Sequence, residues 1–247
     1  KVNSGEYKLM GLAPYGKAIY KDKILDNLIH VKEDGSFRLD QSYFNYSTGL
    51  TMTSNKFHEL FKSKPRDSKQ EDLTQFHMDV AASIQSVTED IMTRLVKSLK
   101  KEFNIPNLCL AGGVALNCVA NGKILKQKIF ENIWIQPASG DAGGSIGAAL
   151  AYWHLDQEQE RDVDPNDSMS GSYLGPEFTD SEIENELLNI GANFKKLDDN
   201  DLLNNTADDL SNGNAIGWFQ GRMEFGPRAL GARSILGDPR SPSMQKN

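Results

Sequence analysis

Apolar residues recur every three or four positions along one stretch in the first half of the chain. The stretch covers residues 74 to about 103, and its apolar positions are Phe76, Val80, Ile84, Val87, Ile91, Leu95 and Leu99. In an α-helix this spacing places the apolar side chains on one face. The pattern therefore predicts one long amphipathic helix whose apolar stripe packs into a core.

The pattern is less regular before this helix. Residues 1–17 include "GEYKLMGLAPYGK", with three glycines and a proline, and predict a turn-rich loop. Residues 24–29 predict a short helical piece. The pair Asp34-Gly35 in "EDGSFRLD" predicts the turn of a β-hairpin.

After the long helix, the same order of elements appears twice. The segment "NLCLAGGVALNCVANGKIL" predicts a strand at 108–111, a turn at Gly112-Gly113 and a helix. The segment "NIWIQPASGDAGGSIGAALAYW" predicts a strand at 133–136, a loop containing Gly140, Gly143 and Gly144, and a helix. Two such units indicate an α/β fold with its glycine turns at the carboxyl ends of the strands, where open α/β sheets bind ligands. Glycine allows close approach of the backbone and helix N-termini attract phosphate, so the pattern predicts a nucleotide or phosphate cleft.

The turns match neither the G-x-G-x-x-G fingerprint nor a Walker A loop, and the alternative is that they only permit tight packing of helix on strand. Asp141, inside the second turn, is a candidate ligand for a metal or a phosphate-bound cation; its alternative is an Asx turn or a helix N-cap. Asn117, placed one turn into the first helix, faces either the cleft or the solvent.

A polar, acidic stretch without periodicity follows Trp153 and predicts a linker. Beyond it, Thr179 or Asp180 caps a helix with an apolar face at Ile183, Leu187 and Leu188. A further helix covers about residues 199–210, and "AIGWFQ" predicts a strand. Pro227 favours the first turn of a helix, so "GPRALGARSIL" predicts a turn that enters a short helix.

Arginine is concentrated in one place in an acidic chain. The formal net charge is -7, yet residues 219–240 contain four arginines and four glycines. Arginine recognises phosphate or carboxylate in a bidentate manner, so Arg228 and Arg233 are candidates to bind one anion. The alternative is an internal network of ion pairs with Glu224 and Asp238.

The remaining composition narrows the class. The chain of 247 residues is 38% hydrophobic and 25% charged, as expected of a globular protein. Its acidity argues against nucleic acid or an anionic membrane as the main partner. The chain has no apolar run long enough to span a bilayer and begins without a signal-peptide pattern, and Cys109 and Cys118 are its only cysteines. We therefore expect a cytoplasmic protein without disulfides.

Four blocks of the sequence carry a specific resemblance. They are "GEYKLMGLAPYGK", "LAGGVALNCVANGKI", "PASGDAGGSIGAALAYW" and "GRMEFGPRALGARSILGDPR". In this order they resemble the O-carbamoyltransferase family of the nodulation protein U and antibiotic carbamoyltransferase type. In that family, a domain of the actin-like ATPase and sugar kinase superfamily precedes a domain similar to threonylcarbamoyl-AMP synthase.

The resemblance implies an α/β fold in two parts. Residues 1–155 would be the second half of the actin-like domain, 156–170 a linker, and 171–247 the truncated start of an α+β domain like the synthase. It also implies a reaction in two steps. Carbamoyl phosphate and ATP give a carbamoyl adenylate in the C-terminal domain. The carbamoyl group then passes to a hydroxyl of a small-molecule acceptor at a metal site in the N-terminal domain.

The resemblance also assigns roles to single residues. Asp141 would be a metal ligand and, with Arg228 and Arg233, part of the catalytic group. The nucleotide site would comprise Gly112, Gly113, Asn117, Gly143 and Gly144. Substrate binding would involve Lys8, Tyr15, Glu224, Arg228 and Arg233, with Lys8 and Tyr15 on the acceptor side.

The sequence departs from the family in its histidines. The other metal ligands, for a divalent ion such as iron(II), are expected from a His-x3-His motif, and none of the four histidines forms such a pair. We therefore expect these ligands outside this chain and the chain alone to be inactive. A sugar kinase or ATPase of the actin-like superfamily and a non-catalytic nucleotide sensor or interaction module remain alternatives. Nucleic acid and membrane are not expected as partners, and a homo-oligomer is left open.

Overall fold

The chain forms two compact units of mixed α-helix and β-strand, which agrees with the predicted α/β class. The structure is a computed structural model, and it describes residues 5–164, 166–241 and 244. The first unit comprises residues 1–110 and 114–135, and the second comprises 111–113 and 136–247. The predicted domain and linker boundaries near residues 155 and 171 stay a prediction, and the last predicted residues, 242, 243 and 245–247, lie outside the described ones.

The described part of the first unit contains most of the regular elements. Its helices are α1 (Glu6–Leu12), α2 (Lys21–Asn27), α3 (Asn55–Phe61), α4 (Gln75–Phe103) and α5 (Cys118–Lys126). Its strands are β1 (Ile29–Val31), β2 (Phe37–Leu39), β3 (Asn107–Leu110) and β4 (Asn132–Ile135). Strands β1 and β2 pair antiparallel, which confirms the predicted hairpin, and β3 pairs with β4 in parallel. The helix predicted at 24–29 begins earlier, and Ile29 belongs to β1.

Helix α4 confirms the long helix predicted from the apolar periodicity. Thr74 caps its N-terminus through a capping box with His77, and Asn104 ends it in the left-handed conformation at φ 49°. The stripe is buried at Val87 and Ile91, whereas Leu95 and Leu99 are exposed by 37% and 41%. The apolar face therefore packs into the core over only part of its length.

Two apolar clusters form the core of the first unit, and α4 contributes to both. One cluster buries Ile24, Leu28, Ile29, Tyr43, Phe61, Val87 and Ile91. The other buries Met92, Val96, Leu108, Ala120, Ile124 and Phe130. The second cluster packs the parallel pair β3 and β4 against α4 and α5, so it fixes where the carboxyl ends of these two strands lie in the first unit.

The loop predicted for residues 1–17 is wrong, because helix α1 and a 3-10 turn (Ala13–Tyr15) lie there. Gly16 explains how this segment packs on α4. A Cβ at Gly16 would lie 1.9 Å from the backbone oxygen of Met78, so only glycine fits. The carboxylate of Asp79 accepts the Lys17 N–H at 2.8 Å, and the Ser83 hydroxyl accepts the Tyr20 N–H at 3.0 Å. Contacts with a distant helix, rather than local propensity, hold the segment.

The second unit contains α6 (Asp141–Ala151), α7 (Asp180–Asn189), α8 (Asp199–Ser211), β5 (Ile216–Phe219) and β6 (Arg233–Leu236). Of the two predicted caps of α7, Thr179 is the N-cap, and it forms a capping box with Glu182. No residue of α7 or α8 is fully buried within the described part of the chain; on the predicted apolar face of α7, Ile183 and Leu188 are exposed and Leu187 is half-buried. Strands β5 and β6 pair antiparallel. The short helix predicted after Pro227 is wrong, because β6 occupies its second half.

Among the helices of residues 5–164 and 166–241, none is both long enough and apolar enough to cross a membrane.

The packing at Gly16 leads to a stability prediction. We expect Gly16→Ala to lower the free energy of unfolding by about 1 to 3 kcal/mol, because its Cβ would overlap the backbone of α4. Gly11→Ala is the matched control, since nothing lies within 4 Å of a Cβ there and alanine favours helix α1. Urea unfolding of the two variants checks this, and equal stability would contradict the packing described.

Candidate functional site

The second unit contains a polar site built on two turns that follow parallel strands in the sequence. The turn after β3 begins at Ala111, and the turn after β4 covers residues 136–140. The Gly112 N–H donates to the Ser139 carbonyl oxygen at 2.8 Å, which joins the two turns. Gly112 adopts φ 96°, a conformation that favours glycine. Gly112 and Gly113 are exposed, whereas Ala138 and Ser139 are buried. The first turn is therefore accessible to a ligand, and the second is packed against protein.

Gly143 and Gly144 lie inside helix α6 and not in the preceding loop, which corrects the sequence prediction. Gly140 is the N-cap and Asp141 is the first helical residue. A Cβ on Gly143 would lie 2.0 Å from the carbonyl oxygen of Ala138. Gly143 therefore allows the first turn of α6 to approach the turn at 136–140. Gly144 has open space around it.

The N-terminus of α6 has unused hydrogen-bonding capacity. Within the described residues, no side chain caps this helix end. The hydroxyl of Ser139, which precedes the N-cap by one residue, is buried and has no hydrogen-bond partner among these residues. Backbone N–H groups at a helix start carry a partial positive charge that attracts anions. This end of α6 is therefore suited to an anionic group such as phosphate.

Asp141 stands in the first turn of α6 with an exposed side chain. The alternative roles of N-cap and Asx turn both fail, because Gly140 is the cap and the Asp141 carboxylate accepts no hydrogen bond among the described residues. No three His, Cys, Asp or Glu side chains come together as a metal cluster in residues 5–164 and 166–241. The described residues thus do not form a metal site around Asp141, and its role as a ligand stays a prediction.

Asn117 belongs to the first unit, where it is the N-cap of α5 instead of lying one turn into the helix. Its side-chain oxygen accepts the Ala120 N–H at 3.1 Å. Its amide group also exchanges two hydrogen bonds with the amide of Gln85, at 2.9 and 3.1 Å. The side chain therefore faces α4 and not the cleft or the solvent. Its predicted contact with nucleotide stays untested.

Lys8 and Tyr15 also belong to the first unit. Lys8 lies on α1 with an exposed side chain, and its Nζ is 5.8 Å from the ring centroid of Tyr7. The Tyr15 side chain is 46% exposed, while its carbonyl oxygen accepts a hydrogen bond from Gln75. Both side chains are accessible to a ligand, and their acceptor-side role stays a prediction.

The residues between β5 and β6 form a loop organised around Glu224, which we call the arginine loop (residues 221–232). Glu224 is only 1% exposed. Its Oε1 accepts the N–H groups of Leu230 at 2.7 Å and Ala232 at 2.8 Å, and its Oε2 lies 3.6 Å from Nε of Arg233. These bonds satisfy backbone donors that a helix would use internally, which is why the predicted helix does not form.

Arg233 is the first residue of β6, and the arginine loop holds it from one side. Its Nη2 donates to the carbonyl oxygens of Gly226 and Arg228. The side chain remains 31% exposed. Arg228 is half-buried. The alternative of internal ion pairs is therefore present for Arg233 with Glu224, whereas Asp238 pairs instead with Arg240, at 2.8 Å.

The arginine loop lies against the turn at 136–140, so the two candidate regions meet in the second unit. A Cβ on Gly226 would be 3.2 Å from Cβ of Ala138 and 3.4 Å from the Pro137 oxygen. Gly226 has φ 118°, which is strained for other residues. The Phe225 N–H donates to the Ser172 carbonyl oxygen at 2.7 Å, and the Ser172 hydroxyl donates to the Phe225 carbonyl oxygen at 2.6 Å. These contacts fix the loop from two sides.

Several of these supporting residues were missed by sequence reasoning. Ser139 lies in the glycine-rich block "PASGDAGG", where its small polar side chain before a helix start is a usable signal. Ser172 lies 53 positions from Phe225, and nothing local indicates that contact. Glu224 was assigned to substrate, whereas its burial and amide bonds place its carboxylate against the loop itself.

Two opposing effects act on the pKa of Glu224. Burial favours the neutral acid and acts to raise the pKa. Hydrogen bonds from the backbone N–H groups of Glu224, Ala232 and Leu230, together with the charge of Arg233, outweigh it and hold the pKa below the usual 4.5. Glu224 is therefore ionised at neutral pH, and its negative charge helps to hold the loop.

Comparisons with known proteins match both ends of the chain. The family model described as carbamoyltransferase N-terminus matches residues 1–150, and the one described as carbamoyltransferase C-terminus matches residues 207–247. The first range contains the turn at 136–140 and Asp141, and the second contains the arginine loop. The candidate site therefore combines residues from both matched regions.

Curated relatives match over almost the whole chain. The chain is 60% identical to the uncharacterized protein sll1178 of Synechocystis sp., over 99% of this chain and 40% of that protein. It is 37% identical to nodulation protein NolNO of Sinorhizobium fredii, over 98% of this chain and 33% of that protein. It is 36% identical to nodulation protein NolO of Bradyrhizobium diazoefficiens, over 98% and 41%. The chain thus spans between a third and two fifths of the length of these relatives.

The lowered pKa of Glu224 makes the stability of the arginine loop depend on pH. The pKa in the folded state is below the usual 4.5. The ionised carboxylate therefore adds its full contribution to the free energy of unfolding above pH 4.5, and this contribution is lost as the pH falls through the folded pKa. We expect Glu224→Gln to destabilise the protein at pH 7, with the difference from wild type shrinking below pH 4.5. Urea unfolding from pH 7 to pH 3 checks this. A difference that does not vary with pH would show that the charge is unimportant.

The contact of Gly226 with Ala138 can be separated from backbone strain. Gly226 and Gly231 have nearly the same φ, 118° and 120°, but nothing lies within 4 Å of a Cβ on Gly231. We expect Gly231→Ala to cost about 1 to 3 kcal/mol from strain alone. Gly226→Ala should cost about 1 to 3 kcal/mol more, because it also crowds the turn at 136–140. Equal losses in urea unfolding would mean that the loop and the turn do not pack closely.

Proposed function

The chain belongs to the carbamoyltransferase family, and from this premise we propose that the protein carrying it transfers a carbamoyl group from carbamoyl phosphate to a hydroxyl of a small molecule. ATP is the second substrate, and a carbamoyl adenylate is the intermediate. The resemblance of four sequence blocks to this family and the match of both family models support the assignment. The acceptor is proposed only as a hydroxylated small molecule.

The proposed reaction has two stages. In the first, hydrolysis of carbamoyl phosphate releases phosphate, and the resulting carbamate oxygen attacks the α-phosphorus of ATP and displaces pyrophosphate. In the second, the acceptor hydroxyl attacks the carbonyl carbon of the carbamoyl adenylate. The bond from that carbon to the AMP oxygen breaks, AMP leaves, and the hydroxyl proton passes to solvent. Negative charge develops on oxygen atoms in the transition state of both stages, so both require preorganised hydrogen-bond donors.

The contact of the arginine loop with the turn at 136–140 is the observation that carries the proposal. It sets a cationic loop beside a helix N-terminus with unused donors, and both features suit phosphate groups. We assign Gly112, Gly113 and the start of α6, with Gly143 and Gly144, to the nucleotide phosphates. The buried Ser139 hydroxyl, which lacks a partner among the described residues, would add a donor there.

Arg228 and Arg233 are assigned to the phosphate of carbamoyl phosphate or of the adenylate. A guanidinium presents donors in a planar fork that matches two phosphate oxygens. Lys8 and Tyr15 are assigned to the acceptor, and both have exposed side chains. Asn117 is the weakest of the nucleotide assignments, because Gln85 and the start of α5 already engage its amide.

A divalent metal such as iron(II) is part of the proposal only through the resemblance. Asp141 stands without other candidate ligands, since the described residues contain no metal cluster. They do not fit a metal by themselves, and we assign no step to one. Ligands from outside this chain would be needed.

The finer fold assignments belong to the same proposal. We place residues 1–155 in an actin-like ATPase domain and residues 171–247 at the start of a synthase-like domain. We also propose a cytoplasmic location, which the low number of cysteines supports. Neither the kinase-like alternative nor the nucleotide-sensing one gains support from the family match.

Pyrophosphate release from ATP by the full-length protein that carries this chain tests the function. We expect release to require carbamoyl phosphate and to fall at least about tenfold in Arg228→Ala, because a charged contact to the anion is lost. Arg222→Ala is the matched control, since Arg222 lies in the same loop but is exposed and pairs with Glu177 outside it. Release that ignores carbamoyl phosphate, or equal losses in both variants, would contradict the proposal.

A further inference from the structure

Glu224 combines burial with an incomplete set of hydrogen bonds. Its side chain is 1% exposed, and Oε1 accepts two backbone N–H groups, at 2.7 and 2.8 Å. Oε2 is buried and has no hydrogen-bond partner among the described residues. Its ion-pair partner is the guanidinium of Arg233, with Nε 3.6 Å from Oε2. A buried carboxylate is costly unless its charge is compensated, so Arg233 and the two amides are what keep it there.

The shape of the arginine loop depends on these bonds. The chain from residue 221 to 232 contains no helix or strand, and Gly226 and Gly231 both adopt positive φ. The bonds from Oε1 tie residues 230 and 232 back to residue 224, which closes the loop on itself. Without that carboxylate, the two N–H groups would lose their acceptor in a partly buried place.

Protein groups bind the guanidinium of Arg233 along one edge and leave its other edge accessible. Its Nη2 donates to the carbonyl oxygens of Gly226 and Arg228, and its Nε faces Glu224. Nη1 makes no hydrogen bond to any described residue, and the side chain is 31% exposed. A guanidinium has five N–H donors, so the Nη1 pair remains available to an anion. The guanidinium thus has a fixed orientation before any ligand arrives.

We propose that Glu224 is a positioning residue, whose carboxylate fixes the arginine loop and the guanidinium of Arg233 in the orientation that receives the anionic substrate. The inference rests on the proposed function, because it takes the anion to be carbamoyl phosphate. Glu224 itself does not touch the substrate. Its contribution is preorganisation, which lowers the cost of ordering Arg233 when the anion binds.

The kinetic test uses Glu224→Gln in the full-length protein. Glutamine keeps an acceptor oxygen for the two N–H groups but removes the charge that faces Arg233. We expect KM for carbamoyl phosphate to rise about tenfold, with kcat and KM for ATP changing less than about threefold. A purely structural role would instead lower the active fraction, and hence kcat, without moving KM. The control is Glu177→Gln, an exposed glutamate paired with Arg222 at 2.9 Å.

A double-mutant cycle asks whether Glu224 acts through Arg233. In an Arg233→Gln background, Glu224→Gln should raise KM for carbamoyl phosphate no further, because the group it positions is gone. Additive effects would overturn the inference. If Arg233→Gln raises KM while Glu224→Gln alone leaves it unchanged, the anion site stands and the positioning role fails.

A third measurement does not depend on turnover. NMR of the protein labelled with 15N-arginine should show the Nε–H signal of Arg233 in wild type and in Glu177→Gln, protected from exchange by its fixed position. The signal should broaden or vanish in Glu224→Gln. If the wild-type protein showed no pyrophosphate release that depends on carbamoyl phosphate, the proposed function would be wrong. The NMR signal would still test whether Glu224 positions Arg233. An unchanged signal in Glu224→Gln would overturn it.

Discussion

A carboxylate that is removed from water must find its donors inside the protein, and Glu224 finds them in the arginine loop, which it ties together from within. Two N–H groups and one guanidinium surround it, and each is fixed in turn. The loop cannot relax into a helix without releasing a buried charge. The position of Arg233 in this acidic chain therefore depends on one buried acid.

Glycine sets the second constraint, which is how closely backbone segments approach one another. Gly143 brings the first turn of α6 onto Ala138, and Gly226 brings the arginine loop onto the same residue. Ala138 is fully buried, so its small side chain is the common surface for both approaches. A helix start suited to phosphate and a cationic loop thereby lie side by side in the second unit, although they are some 85 positions apart in sequence.

Much of the fold could be read from local patterns, and the remainder depends on distant contacts. Helix α4, the β1–β2 hairpin and the strands β3 and β4 follow from periodicity and turn residues. The helix expected after Pro227 is absent, because the Glu224 carboxylate takes the N–H groups of residues 230 and 232. Residues 6–15 are helical, and Gly16 lets the end of this segment approach α4, which lies about 60 positions away, so closely that only glycine fits. The sequence named the arginines as candidates, but the acid that orients one of them looked like a ligand for substrate.

Helix α4 supplies buried residues to both apolar clusters of the first unit, and the change from one to the other falls between Ile91 and Met92. The clusters therefore share one rigid rod. Opening the helix near its middle would expose both at once, which couples the hairpin region to the parallel strands thermodynamically. The first unit is then expected to open as one cooperative block, and the strand ends that lead toward the candidate site stay ordered until that block melts.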